Sequence, residues 1–371
     1  MKQKAKKVFS ILLLSLYLIA LYFMLDYTTE HPLWILLTMF ASIIFMVITH
    51  ELGHLVFGYL TGYQFISYRI FVFTILKENG KLRFCRMSVP GTGGQCLMAP
   101  PRKKPDGSYP FVLYNLGGIL LCGILSLIPL VFSLVAPVSE TFGMCLFIFG
   151  FVSFVMNLMN AIPTNGKSMV NDATNLKLAW RNPAARDALW NQLEYCALHA
   201  QKIRTVDMPE ELFFLPEEKD LGNVLLIWQA IADIERAEDS GNYEKAREIT
   251  YFVLNHAPFI FTLYEGLLQA EAVFLDSLLG QNGQQTENFY KKISKLKPLH
   301  NIPSVQRAVY AYLALCERNS EEAEKAKDTL QKKLKKIPFA TDLAFEQRQV
   351  EQIENALRKS FIPQPNTEEF P

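Results

Sequence analysis

The sequence predicts an all-α membrane protein with a small β-hairpin region: about four transmembrane helices, then a soluble α-helical C-terminal domain of α-solenoid, tetratricopeptide-like type. Three observations lead there. Apolar runs long enough to cross a bilayer crowd residues 1–162, separated by short polar segments. Residues 181–371 are rich in Lys, Glu, Gln, Ala and Leu and hold no apolar run of spanning length. Between the second and third runs, aromatic and β-branched residues flank a turn signal. A chain of 371 residues has room for more than one domain. The boundaries fall at 1–180 for a membrane core, 181–361 for a cytoplasmic helical domain, and 362–371 for a proline-containing disordered tail.

Taken in order, the first span is Val8–Leu25, preceded by Lys2, Lys4, Lys6 and Lys7 and followed by no small-residue cleavage site, so it reads as a retained helix rather than a signal peptide. The second runs Leu33–Leu60, the third Phe111–Val135, and the fourth Phe142–Ile162. The loops Asp26–Pro32 and Ala136–Thr141 carry no Lys or Arg. The N-terminal lysines, Arg102-Lys103-Lys104, Lys167 and Lys177 all fall on the other side. The positive-inside rule therefore places both termini of this multi-pass protein of the cell membrane in the cytoplasm.

Residues 61–110 read differently. Tyr63–Leu76 and Leu82–Val89 are strand-like and are joined by Glu78-Asn79-Gly80-Lys81, a hairpin signal. The glycine-rich stretch Gly91-Thr92-Gly93-Gly94-Gln95 follows as a turn. This region is either a connector or a sheet edge that receives an extended substrate. After Asn160, Pro163 and Gly166 stop the fourth helix, and a helix capped near Asn171 or Asp172 runs to Trp180. Beyond it, helices are expected from Asn182-Pro183, over Val224–Ala237, Tyr243–Asn255 and Tyr310–Leu334. Gly241-Asn242-Tyr243 followed by Pro258 resembles half of a tetratricopeptide repeat; two weak matches make irregular helical hairpins the safer reading.

Composition excludes some classes. A net charge of +1 argues against a nucleic-acid binder held by phosphate contacts. Six cysteines without a Cys-x-x-Cys pair argue against a zinc ribbon or disulfide framework. His199, His256 and His300 have no ligand spacing to one another and read as surface or satisfied core histidines. Asn115, Gly117 and Gly118 in the third span read as positions that pack against the second helix, with approach to a substrate as the alternative.

The chemistry lies in His50-Glu51-Leu52-Gly53-His54, inside the second span. Histidines four apart share one helix face and can hold one metal ion, with Glu51 beside it as a base. Three such residues in a bilayer are costly and need a partner, which a metal supplies. From Leu33 to His50 a helix rises about 25 Å, which puts the motif near the cytoplasmic edge of the hydrocarbon core. A catalytic zinc needs a third protein ligand on that side. Asp172 fits, with Asp106 as its competitor.

With Asn160-Ala161-Ile162-Pro163 and the later Asp172, this motif resembles the site-2 protease family of intramembrane metallopeptidases. The resemblance covers residues 33–173 and extends to the hairpin and Gly93-Gly94-Gln95, which are similar to the family's membrane-associated β-region. It implies that His50, His54 and Asp172 bind Zn²⁺, that Glu51 is the catalytic base, and that Asn160 helps to hold a membrane-protein or membrane-peptide substrate. Two departures stand out: the spacing from Pro163 to Asp172 is longer than the commonest pattern, and Ala173 stands where glycine is usual. No PDZ-like or CBS-like segment is evident, and the helical half stands in their place, where it is expected to bind a protein partner or substrate tail. The rival expectation is a non-catalytic membrane scaffold whose helical domain binds a partner.

Overall fold

The computed structural model describes residues 32–360, apart from Asn79, residues 88–91 and 165–169, Phe259, Phe261 and Pro338. The expected first span and the expected tail at 362–371 lie outside the described residues.

Three helices are long and apolar enough to cross a membrane: α1 (Pro32–Leu60), α2 (Phe111–Val135) and α3 (Glu140–Asn160). All three pack on one another. Their burial is inverted relative to a soluble bundle. Leu33, Phe40, Leu134 and Val135 are 64–75% exposed, while Ser42, Ser126 and Ser153 are fully buried. Exposed apolar side chains with small and polar residues at the helix contacts are the pattern of helices that pack in lipid. Gly150 lies against the backbone of Ser126 and Leu130. Asn157 donates to the Ile119 carbonyl at 2.9 Å, tying α3 to α2.

Between α1 and α2 lies an antiparallel sheet of β1 (Gln64–Ile70), β2 (Phe73–Glu78), β3 (Lys81–Arg86) and β4 (Gly94–Ala99), in the order β3-β2-β1-β4. The β2–β3 turn falls where the sequence puts it, with Gly80 at φ +77°. Two features correct the expected hairpin. The run Tyr63–Leu76 is two strands, broken at Phe71 (φ +53°), where the Phe71 N–H donates to the Gly93 carbonyl at 2.7 Å. The expected glycine-rich turn feeds straight into β4, which pairs with β1 around a bulge at Phe65/Ser67. The sheet packs on α1 through β1 and β4, with the Tyr68 hydroxyl donating to the Ile48 carbonyl at 2.8 Å. A short helix, α4 (Asp172–Arg181), returns to α2.

Contacts divide the chain into two units; among the described residues the second holds the helices from Asn182 onward and also residues 77–87 of the β2–β3 hairpin. In the second, helices follow one another as α5 (Pro183–Ala200), α6 (Val224–Asp239), α7 (Tyr243–His256), α8 (Thr262–Leu279), α9 (Gln284–Lys295), α10 (Pro303–Ala311), α11 (Ser320–Leu334) and α12 (Ala340–Ser360). Asparagine caps recur at the starts of α5, α6, α7 and α11 (Asn182, Asn223, Asn242 and Asn319), each accepting from a backbone N–H in the first turn. Their core gathers around Phe274, Leu268, Val305, Ala308 and Leu330. The helix expected over Tyr310–Leu334 is interrupted: α10 ends in a wide turn, Tyr312–Cys316, then Arg318 turns left-handed (φ +52°) before Asn319 caps α11.

Candidate metal centre

The helical spacing in α1 does what the motif requires: His50, Glu51 and His54 are all buried at one place along the helix. The His54 Nδ1 lies 2.7 Å from the Tyr114 carbonyl of α2. A carbonyl only accepts, so Nδ1 carries the proton and the Nε2 lone pair is free to bind. The two Nε2 atoms stand 3.4 Å apart. Asp172 completes the group, its Oδ2 at 2.9 Å from His50 Nε2 and 3.2 Å from His54 Nε2. These three residues form a group that could hold a metal ion.

The donor set can be tested against zinc. Ligands bound at about 2.0–2.2 Å on a tetrahedral centre stand roughly 3.3–3.6 Å from one another. The observed 2.9–3.4 Å separations are within a few tenths of that. Two imidazoles and one carboxylate suit zinc and leave the fourth position open. Burial alone would raise the Asp172 carboxyl, yet the imidazoles of His54 and His50 more than offset it and hold it below the usual carboxylate range.

Glycines make the space. A Cβ on Gly53 would collide with the Gly117 backbone, so α1 and α2 meet along bare backbone. A Cβ on Gly118 would stand 2.7 Å from His54 Nε2 and 2.8 Å from the His50 ring. The packing role expected for Gly117 and Gly118 is thus a requirement of the site itself. On the other side, a Cβ on Gly94 would come within 2.6 Å of Glu51 Oε1, so the start of β4 lies directly on that carboxylate.

Asp172 reaches the histidines because its helix is anchored at both ends of the preceding loop. The Asn171 amide donates to the carbonyls of Asn160 and Ile162, both at 2.9 Å. Its Oδ1 accepts from the backbone N–H and the hydroxyl of Thr174, which caps α4. The Thr164 N–H donates to the Thr174 hydroxyl at 2.7 Å. Asn160, the expected substrate-holding residue, ends α3 with its amide 3.9 Å from Met46 Sδ, one turn before His50. Asp106 is in an exposed turn, accepting from the Ser108 N–H, and takes no part in the group. His199, His256 and His300 each bond within the helical unit.

Sequence reasoning missed Tyr114. Its carbonyl orients His54, its hydroxyl donates to the Cys96 carbonyl of β4 at 2.9 Å, and its ring stacks on Tyr63 at 4.5 Å. A tyrosine in an apolar span beside two glycines was the available signal. Comparisons of the chain with protein-family models, curated proteins and solved structures gave no match.

Proposed function

We propose that the chain is an intramembrane zinc metalloprotease of the site-2 protease type, which hydrolyses peptide bonds of membrane-embedded substrates near the cytoplasmic face. The observation that carries this reading is the meeting of His50, His54 and Asp172, with Glu51 beside them, in a helix apolar enough to span a membrane. A purely structural site needs no base, and Glu51 is one.

His50, His54 and Asp172 would hold the zinc, which when bound would supply Lewis acidity for the scissile carbonyl and the attacking water. Glu51 takes the proton from that water and returns it to the leaving amine. Its burial beneath Gly94 keeps bulk water from competing for it. The substrate must be extended at the cut, since helical amides are closed by their own hydrogen bonds. The edge strand β4 offers such a segment a place beside Glu51. Asn160 holds the substrate backbone from the end of α3. A fourth span near the N-terminus and cytoplasmic termini complete this arrangement, and the helical unit, of irregular α-solenoid type, binds a partner or substrate tail.

The test compares the N-termini of membrane proteins in cells carrying wild type or Glu51→Gln at matched expression. New termini within or beside spans, found only with wild type, are expected. Identical termini with the cellular phenotype intact in the variant would replace the protease by the scaffold reading.

A further inference from the structure

We propose that Arg69 is a positioning residue for Glu51, acting through the backbone of Thr92–Gly94; this rests on the protease reading above. Arg69 sits in the central strand β1 and is 1% exposed, an unusual place for a guanidinium. Its Nη1 donates to the carbonyls of Phe71 (2.8 Å) and Thr92 (3.4 Å). Its Nη2 donates to the Gly94 carbonyl at 3.1 Å and to the Thr92 hydroxyl. One rigid fork thus joins the β1–β2 turn to the segment entering β4. The Phe71 N–H closes the ring on the Gly93 carbonyl at 2.7 Å. That bond and the Arg69 bond hold Phe71 in a left-handed conformation, which a bulky residue adopts only when its surroundings impose it.

The clamped segment touches α1 at two successive turns of one face. A Cβ on Gly93 would meet Val47 at 3.4 Å, and one on Gly94 would meet Glu51. The glycine pair therefore forms the wall against which the Glu51 carboxylate rests. Glycine backbone is intrinsically loose. Without the clamp, the wall and the carboxylate it supports would wander. Lysine cannot substitute, because a point ammonium lacks the planar fork that reaches several acceptors at once.

The experiment uses the full-length protein in detergent micelles, with fluorescence-quenched casein as an unstructured substrate. Arg69→Met is expected to keep the wild-type zinc content and KM, and to lose roughly 100-fold in kcat, the scale set by a misplacement of about 1 Å. Amide exchange should accelerate at Phe71 and Thr92–Cys96 and remain unchanged in α2 and α3. Arg69→Lys should be as impaired as Arg69→Met. Thr92→Val, which removes one acceptor, should lose less in the same direction and serves if the arginine variants fail to fold. Wild-type kcat in Arg69→Met, full rescue by Arg69→Lys, or unchanged exchange at Thr92–Cys96 would each overturn the proposal. Absence of Glu51-dependent cleavage by the wild type would instead sink the protease reading, and the positioning role with it, while the exchange data would still report whether the clamp exists.

Discussion

Gly118 places the most direct constraint on the two histidines. Any side chain there must push both imidazoles, since its Cβ would stand 2.7–2.8 Å from each ring. Gly118→Ala is expected to weaken zinc affinity by roughly 10–100-fold, the range seen when ligand orientation is disturbed. Competition against a chromophoric chelator measures this. Gly123→Ala, whose Cβ would meet the Asn157 amide at 3.2 Å, is the control and should bind zinc as wild type does. At this scale the sequence is legible where spacing is local: His50, Glu51 and His54 lie within one helical turn and declare themselves. Asp172 does not, because 118 positions separate it from His54 and no periodicity crosses that gap; its side of the membrane makes it a candidate alongside Asp106, and the resemblance favours it. The roles of Tyr114 and Gly118 at the ligands are hidden for a related reason. A backbone carbonyl orienting His54, and the room for two rings, exist only once α1 and α2 have packed.

Among elements, the loop between α3 and α4 decides whether Asp172 arrives at all. Asn171→Ala removes the amide that bridges the Asn160 and Ile162 carbonyls and also the cap on α4. Loss of the cap alone costs about 1 kcal/mol. The variant should therefore bind zinc more weakly while Asp172 itself is intact, read by the same chelator competition. In the helical unit, α12 carries Glu346 onto a buried cluster. Arg307 of α10 lies 3.7 Å from it, donates through Nη2 to both carboxylate oxygens of Glu271 of α8, and lies 3.8 Å from Glu238 of α6. Burial pushes the Glu346 carboxyl up to about 7, Arg307 opposes this, and Glu271, Glu235 and Asp342 add to it. A carboxyl raised in the folded state binds its proton there more tightly than in the unfolded chain. That contribution is complete below the ordinary value of 4.5 and is lost as pH rises to about 7. Amide exchange in α12 should accelerate over that window, and Glu346→Gln, which mimics the protonated form, should flatten the response. A wild-type profile in Glu346→Gln would remove Glu346 as its source. Element boundaries were readable where caps and turns announce them, as at Asn182, Asn223, Asn242 and Gly80. They were not readable at Phe71 and Arg318. There the left-handed backbone is imposed by tertiary hydrogen bonds or by the next helix cap, and the side chains themselves disfavour it.

For the whole molecule, the contrast between its halves was plain from composition: apolar runs in one, charged helices in the other. What composition does not contain is a bond that draws the ends of the membrane unit together. Zinc would be that bond, since its ligands come from α1 and α4, on either side of the sheet, α2 and α3 in the chain. The donors exist together only in the folded state, so binding energy becomes folding energy. At a free zinc concentration a hundredfold above Kd, the stabilisation is about 2.7 kcal/mol. Thermal unfolding of the full-length protein in detergent should therefore shift upward with added zinc and downward with 1,10-phenanthroline. The shift should fade at acid pH, because protons compete with zinc for its ligands. Asp172→Asn should lose most of it, because an amide is a poor zinc ligand, and Glu51→Gln should keep it, because Glu51 is not a ligand. Equal zinc shifts in wild type and Asp172→Asn would place the metal elsewhere. A shift lost in Glu51→Gln but kept in Asp172→Asn would make Glu51 the ligand and deprive the site of its base.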